Sequence, residues 1–270
     1  MKTLTLIWIH LRVGILNELQ YRVNFFIQLL QTFIALGVGL VGLGLVFGHT
    51  TDLNGWSRPE LLMVMGVHIL AGGLIKALVQ PNMQRLLGDI QEGTLDFALT
   101  KPADSQVLIS VREFRLWQLT DFVMGLIVMG RALYELQTGV GVWPPIGAIG
   151  GWQALAFLVA LACGTAMLYS FWLMLTSVAF WIIRAEQMVN LFEGVYAAGR
   201  WPVSIYPDWL RTALTFLVPV AFAVTVPAEA LTGRLTPQTL LGAGVLAILM
   251  LMLARFVWRR GLRAYSGASA

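Results

Sequence analysis

Three ionisable side chains lie inside long apolar runs of this sequence: His68, Asp121 and Glu193. Burying such a group away from water costs free energy unless it is paired or serves a ligand. Each is therefore a candidate for contact with a polar substrate, and each has a plainer interpretation. Asp121 could pair with Lys76. Glu193 could face a water-filled vestibule, and His68 could be a hydrogen-bonded packing residue.

Aromatic side chains in another apolar run suggest a second kind of contact. Phe171 and Trp172, with Met174 close by, could line a hydrophobic cavity. Packing against a neighbouring helix, or facing lipid, is the alternative. The predicted substrate cavity consists of His68, Asp121, Phe171, Trp172 and Glu193.

The sequence lacks the common motifs of catalysis. No Gly-Lys dipeptide occurs, which excludes a P-loop. The three histidines are far apart, and neither a His-Glu-x-x-His pattern nor a paired-carboxylate spacing is present. We therefore expect a chain that is not an enzyme and binds no cofactor of its own. An active transporter built on it would take its ATPase from another polypeptide.

The composition indicates that lipid is the solvent. Of the 270 residues, 58% are hydrophobic and only 12% are charged, and the mean hydropathy is +0.75. Soluble domains carry roughly 25% charged residues. The net charge of +4 is too weak to suggest a nucleic-acid partner. An all-α protein embedded in membrane lipid is the expected fold class.

A transmembrane helix needs about 20 mostly apolar residues. Five clear candidates are 24–47, 61–80, 116–133, 151–183 and 239–257. The region between them leaves two arrangements open. Either 184–211 is a cytoplasmic loop and 212–228 is the fifth span, or 188–205 is the fifth span and 209–228 dips into the outer leaflet and returns. Both arrangements give six spans with both termini on the same side.

Lys and Arg side chains concentrate on one side of either arrangement, which makes that side cytoplasmic. Residues 2–22 mix apolar and polar side chains and are expected to form an interfacial helix there. Tryptophans form two belts, with Trp56, Trp143 and Trp152 outside and Trp8, Trp117, Trp181 and Trp258 inside. The second arrangement also places Trp201 and Trp209 in the outer belt, which favours it.

The connection between the second and third spans carries an unusual charged segment, 88–102, which includes Asp89, Glu92, Asp96 and Lys101. Such a segment on the cytoplasmic side suggests a soluble partner. The first span places Ala35, Gly39, Gly44 and Gly48 at small-x-x-x-small spacing. That spacing lets another helix approach closely, either within the chain or in a second subunit.

Several short motifs occur in a familiar order. Pro-Val-Ser-Ile-Tyr-Pro, Asp-Trp-Leu, Leu-Val-Pro-Val-Ala-Phe-Ala-Val and Ala-Leu-Thr-Gly precede the last span. This region resembles the corresponding part of ABC exporter permeases of the ABC-2 type. The charged turn at 184–187, the segment 88–102 and the terminal Arg-Gly-Leu-Arg-Ala-Tyr-Ser also resemble that family. The similarity covers nearly the whole chain.

The resemblance implies one permease domain over 1–270, with an elbow helix at 2–22 and a re-entrant hairpin at 207–228 before the last of six spans. A coupling loop at 82–104 would dock on the ATPase. Its contact residues would be Asp89, Glu92, Thr94, Asp96 and Lys101. Two permease chains, identical or related, would sit on two ATP-binding cassette subunits, which would hold the ATP and magnesium.

The expected function is to move an amphipathic or hydrophobic small molecule out of the cytoplasm or inner leaflet of a bacterial plasma membrane. A lipid or glycolipid is also possible as the substrate. An ATP-independent secondary transporter or channel is the main alternative, but no repeated halves are visible in the sequence. A membrane scaffold without transport is a further one, for which the polar fifth span would serve no purpose.

Overall fold

The computed structural model describes residues 22–101, 104–139, 149–181 and 186–265. These ranges contain helices and one isolated β-bridge, and no β-strand occurs within them. The α-helices are α1 (Arg22–Phe47), α2 (Arg58–Leu74), α3 (Gln80–Gln91), α4 (Asp96–Leu99), α5 (Ser105–Ile109), α6 (Leu119–Thr138), α7 (Gly151–Ser177), α8 (Glu186–Ala197), α9 (Asp208–Thr212), α10 (Val226–Thr232) and α11 (Pro237–Ala264). The expected all-α class is confirmed. The predicted interfacial helix, apart from residue 22, lies outside the described residues.

Within the described residues, five helical segments are each long and apolar enough to cross a bilayer, apart from a bent pair of helices at 208–232. They are Val23–Phe47, Arg58–Gln91, Leu116–Thr138, Gly151–Phe180 and Pro237–Ala264. The five clear spans expected from hydropathy all fall within these segments or overlap them. Most of the helices extend beyond the predicted ends, because hydropathy detects only the apolar middle of a helix.

The second of these helices differs most from the sequence-based expectation. It runs without a break for 34 residues, from Arg58 to Gln91. At 1.5 Å per residue it is about 51 Å long, whereas the hydrocarbon core of a bilayer is about 30 Å thick. The sequence predicted that this span ends at residue 80 and that a loop begins at 82. The structure shows α3 in place of the first part of that loop.

A change of helical geometry allows this helix to continue through a proline. Pro81 has no N–H to donate to the carbonyl of Ala77, and the chain forms a π-helical turn over Ile75–Val79 immediately before it. The free carbonyl of Ala77 accepts a hydrogen bond of 3.1 Å from the backbone N–H of Arg115. The buried Asn82 bonds to both the N–H and the carbonyl of Glu113. The long helix is thereby joined to the segment that leads into α6.

Glycines let α2 and α6 pack in close contact. A Cβ atom at Gly125 would lie 2.6 Å from the backbone nitrogen of Leu70, and one at Gly73 would lie 2.6 Å from the nitrogen of Phe122. Most of α2 is buried at the centre of the bundle. The glycines of the first span are used differently, because Gly39 contacts Met65 while Gly44 has open space around it. They therefore serve one contact within the chain and leave part of the helix uncovered.

One end of the bundle, which we call the Ser204 end, is held by polar contacts at the start of α2. The indole of Trp56 donates to Ser204 Oγ at 2.9 Å. Arg234 pairs with the buried carboxylate of Glu60 at 2.6 Å and donates to the carbonyl of Gly55 at 2.6 Å. Glu60 in turn caps the first turn of α2. The segments around 54–60, 204 and 234 therefore meet at this end.

The opposite end, which we call the Asp89 end, is built around the segment that follows α3. Asp89 pairs with Arg112 at 2.6 Å, and both side chains are largely buried. Arg255 of α11 pairs with Asp104, which caps α5. The guanidinium beside Asp104 holds the pKa of that carboxyl below its ordinary value. The pair therefore stabilises the fold at neutral pH, and this contribution is lost as the pH falls through the lowered pKa.

The region 208–232 forms a sharply bent pair of helices. Asp208–Leu217 and Ala221–Thr232 meet at an angle of 78° around Pro219. Arg211, in the first member, donates to the carbonyl of Ser204, and Arg234 follows directly after the second. Both ends of the pair therefore lie at the Ser204 end. That the hairpin at 207–228 enters the membrane and returns to the same side stays a prediction.

The tryptophans of the described residues differ in how far they are exposed. Trp152, Trp181 and Trp209 are exposed. Trp258 is fully buried against Phe180, and Trp56 is buried under Arg234. At these two positions the indole packs inside the chain, and the place of the tryptophans at the membrane interfaces stays a prediction. Trp8 and Trp143 lie outside the described residues.

Candidate substrate cavity

An open cavity of about 470 Å³ lies between α1, α2, α6 and α8. The π-turn at Ile75–Val79 forms part of its wall, and turns of this kind are frequent at functional sites. Its charged lining residues are Lys76, Arg115, Asp121, Glu193 and Arg200. His68, Phe192 and Tyr196 contribute rings, and Gln28, Gln31, Gln80 and Gln118 contribute amides. A polar cavity inside an apolar bundle is the arrangement expected of a substrate site.

Asp121 is the centre of a buried polar cluster. Its Oδ2 lies 3.3 Å from Lys76 Nζ, and its Oδ1 accepts hydrogen bonds from Gln28 Nε2 at 3.1 Å and from Thr32 Oγ1. The pairing with Lys76 that the sequence allowed is therefore present. The cluster also ties α1 to α2 and α6. A structural role accounts for the buried charge of Asp121, although the residue also lines the cavity.

Replacing Asp121 with leucine should leave Gln28 and Lys76 without this acceptor, whereas Thr32 can still donate to the carbonyl of Gln28. An unsatisfied buried polar group costs about 1–3 kcal/mol, so we expect a clear drop in the thermal stability of the purified chain. Asparagine at the same position keeps an acceptor and should lower stability less. Melting in detergent measures both variants. A leucine variant as stable as the wild type would show that the cluster does not hold α1 in place.

Aromatic rings form the wall on the α8 side. The rings of His68 and Tyr196 stack at 4.6 Å with an angle of 20° between their planes, and Tyr196 stacks in turn on Phe192 at 6.0 Å. The Tyr196 hydroxyl donates to the carbonyl of His68 at 2.9 Å. Tyr196 can lie this close because Gly72 has no side chain beneath it. The stack fixes α8 against α2 and presents apolar surface to the cavity.

Three of the five residues predicted for the cavity do line it: His68, Asp121 and Glu193. Glu193 also accepts a hydrogen bond of 2.7 Å from Gln80. Phe171 and Trp172 do not line it. They pack behind Phe192, with ring centroids 5.7 and 4.7 Å away, and Trp172 is fully buried. Their aromatic character therefore serves packing one layer away from the cavity.

Several lining residues were not predicted from the sequence. Gln31 and Thr32 follow Gln28 by three and four positions, which places them on the same face of α1 as Gln28. That polar face in an apolar helix was a usable signal. Arg200 was not among the residues predicted for the cavity. Its place in the cavity depends on how α8 packs, which no local pattern reveals.

The residues predicted to contact an ATPase divide into two groups. Asp89 is committed to Arg112, and Thr94 lies 3.4 Å from Asp89 through its hydroxyl. Both side chains are partly buried, and the contact of these five residues with an ATPase stays a prediction. Glu92 and Lys101 are exposed, and Asp96 is half-buried. The segment also carries an exposed aromatic side chain that the sequence did not single out, because 78% of the surface of Phe97 is accessible.

Comparison with known protein families shows to which family the chain belongs. The family model described as "ABC-2 family transporter protein" matches residues 33–269. The chain belongs to the ABC-2 transporter family. A search of curated protein sequences finds no match. As an ABC-2 permease, the chain is a multi-pass membrane subunit of an ABC transporter, and its part in transport is not catalytic. Membership also implies association with ABC ATPase subunits.

Proposed function

We propose that the chain is the membrane subunit of an ATP-driven exporter of amphipathic small molecules. The observation that carries this proposal is the charged and aromatic cavity inside a bundle of the ABC-2 family. Its lining combines ring surface with five charged side chains, which suits a molecule with an apolar body and a polar group. A purely hydrophobic molecule would cover these charged side chains and offer none of them a hydrogen bond.

In this proposal two permease chains, identical or related, assemble with two ATPase subunits in a bacterial plasma membrane. The ATPases bind ATP and magnesium. The Asp89 end and both termini face the cytoplasm. The 34-residue helix supports this orientation, since it is about 20 Å longer than the bilayer core requires. Its excess would carry the segment after α3 out to the ATPase.

ATP-driven export can be tested in inside-out membrane vesicles that contain the chain and its co-expressed ATPase. An amphipathic fluorescent dye should accumulate inside them with ATP but not with a non-hydrolysable analogue. An ionophore that dissipates ion gradients should leave accumulation intact. Accumulation that needs an ion gradient and ignores ATP would instead identify a secondary transporter. Mass measurement of the purified complex should give two permease chains and two ATPases.

We also propose that 207–228 is re-entrant from the outer surface. The support is that both Arg211 and Arg234 contact the Ser204 end, so the bent pair begins and finishes at one end of the bundle. Asp208 is almost fully exposed there.

A cysteine at Asp208 should therefore react with an impermeant maleimide added to intact cells. The native Cys163 is replaced by alanine first, so that one thiol is present. A cysteine at Glu92 serves as the matched control and should react only after the membrane is opened. The reverse labelling of Asp208→Cys, with reaction only in opened cells, would restore the arrangement in which 184–211 is a cytoplasmic loop.

A further inference from the structure

The acidic and the basic side chains of the cavity differ in the contacts that they make within the protein. Both carboxylates accept hydrogen bonds from neighbouring side chains. Asp121 receives them from Gln28 and Thr32 in addition to its ion pair with Lys76. Glu193 receives one from Gln80. The acidic side of the lining is therefore already supplied with donors.

The basic side chains still have N–H groups that could donate to a ligand. Lys76 pairs with Asp121, and Arg115 donates to the side-chain amide of Gln84 at 3.0 Å. Arg200 lines the cavity, and none of the ion pairs formed among the described residues includes it. It is half-buried, so water screens its charge only in part. A guanidinium in this position favours an anion as partner.

The surroundings of Arg200 supply a second observation. Arg200 ends the 3₁₀ turn Ala198–Arg200 that directly follows α8, and it lines the same cavity as Tyr196. The preceding residue passes over the imidazole, since a Cβ at Gly199 would lie 3.5 Å from His68 Nδ1. That ring nitrogen is buried and has no hydrogen-bond partner within the described structure. The guanidinium of Arg200 therefore lies next to the unpartnered ring nitrogen of His68 and to the stacked rings of His68 and Tyr196.

We propose that this part of the cavity binds the anionic group of an amphipathic ligand at Arg200, with the apolar body of the ligand against the rings of His68 and Tyr196. The anion is a carboxylate, sulfonate or phosphate, whose oxygens can take two parallel hydrogen bonds from one guanidinium. The inference rests on the proposed function in one respect, because it names the substrate class of the same cavity. A cationic ligand is disfavoured, since the carboxylates already have donors and Arg200 would repel it.

The test compares two probes of nearly equal shape on the full-length chain, with its ATPase where this co-purifies, in nanodiscs of zwitterionic phosphatidylcholine. Radiolabelled 2-naphthoate is the anion and 2-naphthamide its neutral counterpart. Wild-type protein should bind the anion more tightly. Arg200→Gln should weaken binding of the anion by about tenfold or more, which corresponds to one charge-assisted contact. Arg200→Lys should bind the anion with an affinity between those of the wild type and Arg200→Gln. Lysine keeps the positive charge but cannot donate two parallel hydrogen bonds.

Arg131→Gln is the matched control, since Arg131 is an exposed arginine of α6 paired with Glu135 and lies outside the cavity lining. It should bind both probes as the wild type does. Equal binding of the anion by wild type and Arg200→Gln would overturn the proposal. So would wild-type protein that binds the amide as tightly as the acid. The second comparison needs no variant and therefore holds even if the substitutions impair folding.

Nanodiscs that also contain anionic phosphatidylglycerol identify the source of the anion. Competition with 2-naphthoate by this lipid supports a lipid headgroup as the natural ligand, and absence of competition supports a free organic anion. Binding requires no ATP, so its outcome is separate from that of the export assay. A chain that binds 2-naphthoate without pumping would contradict only the exporter. One that pumps without distinguishing the two probes would contradict only the anion site.

Discussion

Reversal of Glu92 and Asp96 to lysine is expected to release the ATPase from the purified complex while the permease still inserts and folds. Glu92 is exposed and Asp96 half-buried at the end of the long helix, where the proposed function puts the ATPase. Charge reversals at an interface can cost several kcal/mol, enough to lower affinity by orders of magnitude. Co-purification of the ATPase with a tagged permease measures the effect.

The structure adds a second variant and two controls to this experiment. Phe97→Ala removes the most exposed ring of the segment and should also weaken co-purification, without any change of charge. Asp52→Lys with Asp208→Lys makes the same change in charge at the opposite end of the bundle and should leave the complex intact. Asp89 is unsuitable for this purpose, because its ion pair with Arg112 holds the segment itself together.

Wild-type yield of ATPase with the double reversal, and unchanged ATPase activity of the complex, would mean that this segment is not the coupling element. Its charges would then serve only to keep the end of α3 in water. If the charge-reversed variant and the Phe97 variant both lose the ATPase while the opposite-end control keeps it, the ATPase binds this surface.

The second large effect is expected at Gly125, where α6 touches α2. Even the methyl group of alanine would lie 2.6 Å from backbone atoms of Leu70, and backbone cannot move aside as a flexible side chain can. Overpacking of this kind costs about 1–3 kcal/mol. Gly125→Ala should therefore lower the melting temperature in detergent, and Gly125→Leu should abolish the folded yield.

Gly130, five residues further along α6, is exposed, and a Cβ atom at this position would have nothing within 4 Å of it. Gly130→Ala should be neutral, or stabilise the chain by up to about 1 kcal/mol through better helix propensity. The comparison separates crowding from propensity, since both positions lie inside the same helix. Equal stability of the two alanine variants would contradict the close packing of α2 and α6.

Much of the fold could be predicted from hydropathy, because each span needs its own apolar stretch whatever its neighbours are. The same reasoning also found three of the cavity residues, since an ionisable group in an apolar run requires a partner. His68, Asp121 and Glu193 share that property. The aromatic residues do not, because a ring is equally at home in a core, in lipid or beside a ligand. Trp172 shows the consequence, as it is fully buried behind Phe192.

The long helix was missed for a different reason. Proline usually ends a helix, so Pro81 and the polar residues after it indicated a loop. Tertiary hydrogen bonds keep the chain helical through Pro81. The N–H of Arg115 donates to the carbonyl of Ala77, and Asn82 bonds to the backbone of Glu113. These partners lie more than thirty residues away in the sequence, beyond the reach of any local pattern. Arg200 was missed as a lining residue for the same reason.

The uninterrupted helix from Arg58 to Gln91 has a mechanical consequence. It carries His68, Gly72 and Lys76 on the cavity wall, and its last turn adjoins the segment with Glu92 and Phe97. If an ATPase pulls on that segment, the helix acts as a lever, and the displacement reaches the cavity without passing through a loop. The π-turn at Ile75–Val79 forms part of the cavity wall, and its hydrogen bonds are already shifted by one residue. In such a movement this turn, the one irregular stretch between Arg58 and Gln91, would move together with the ion pair of Lys76 and Asp121.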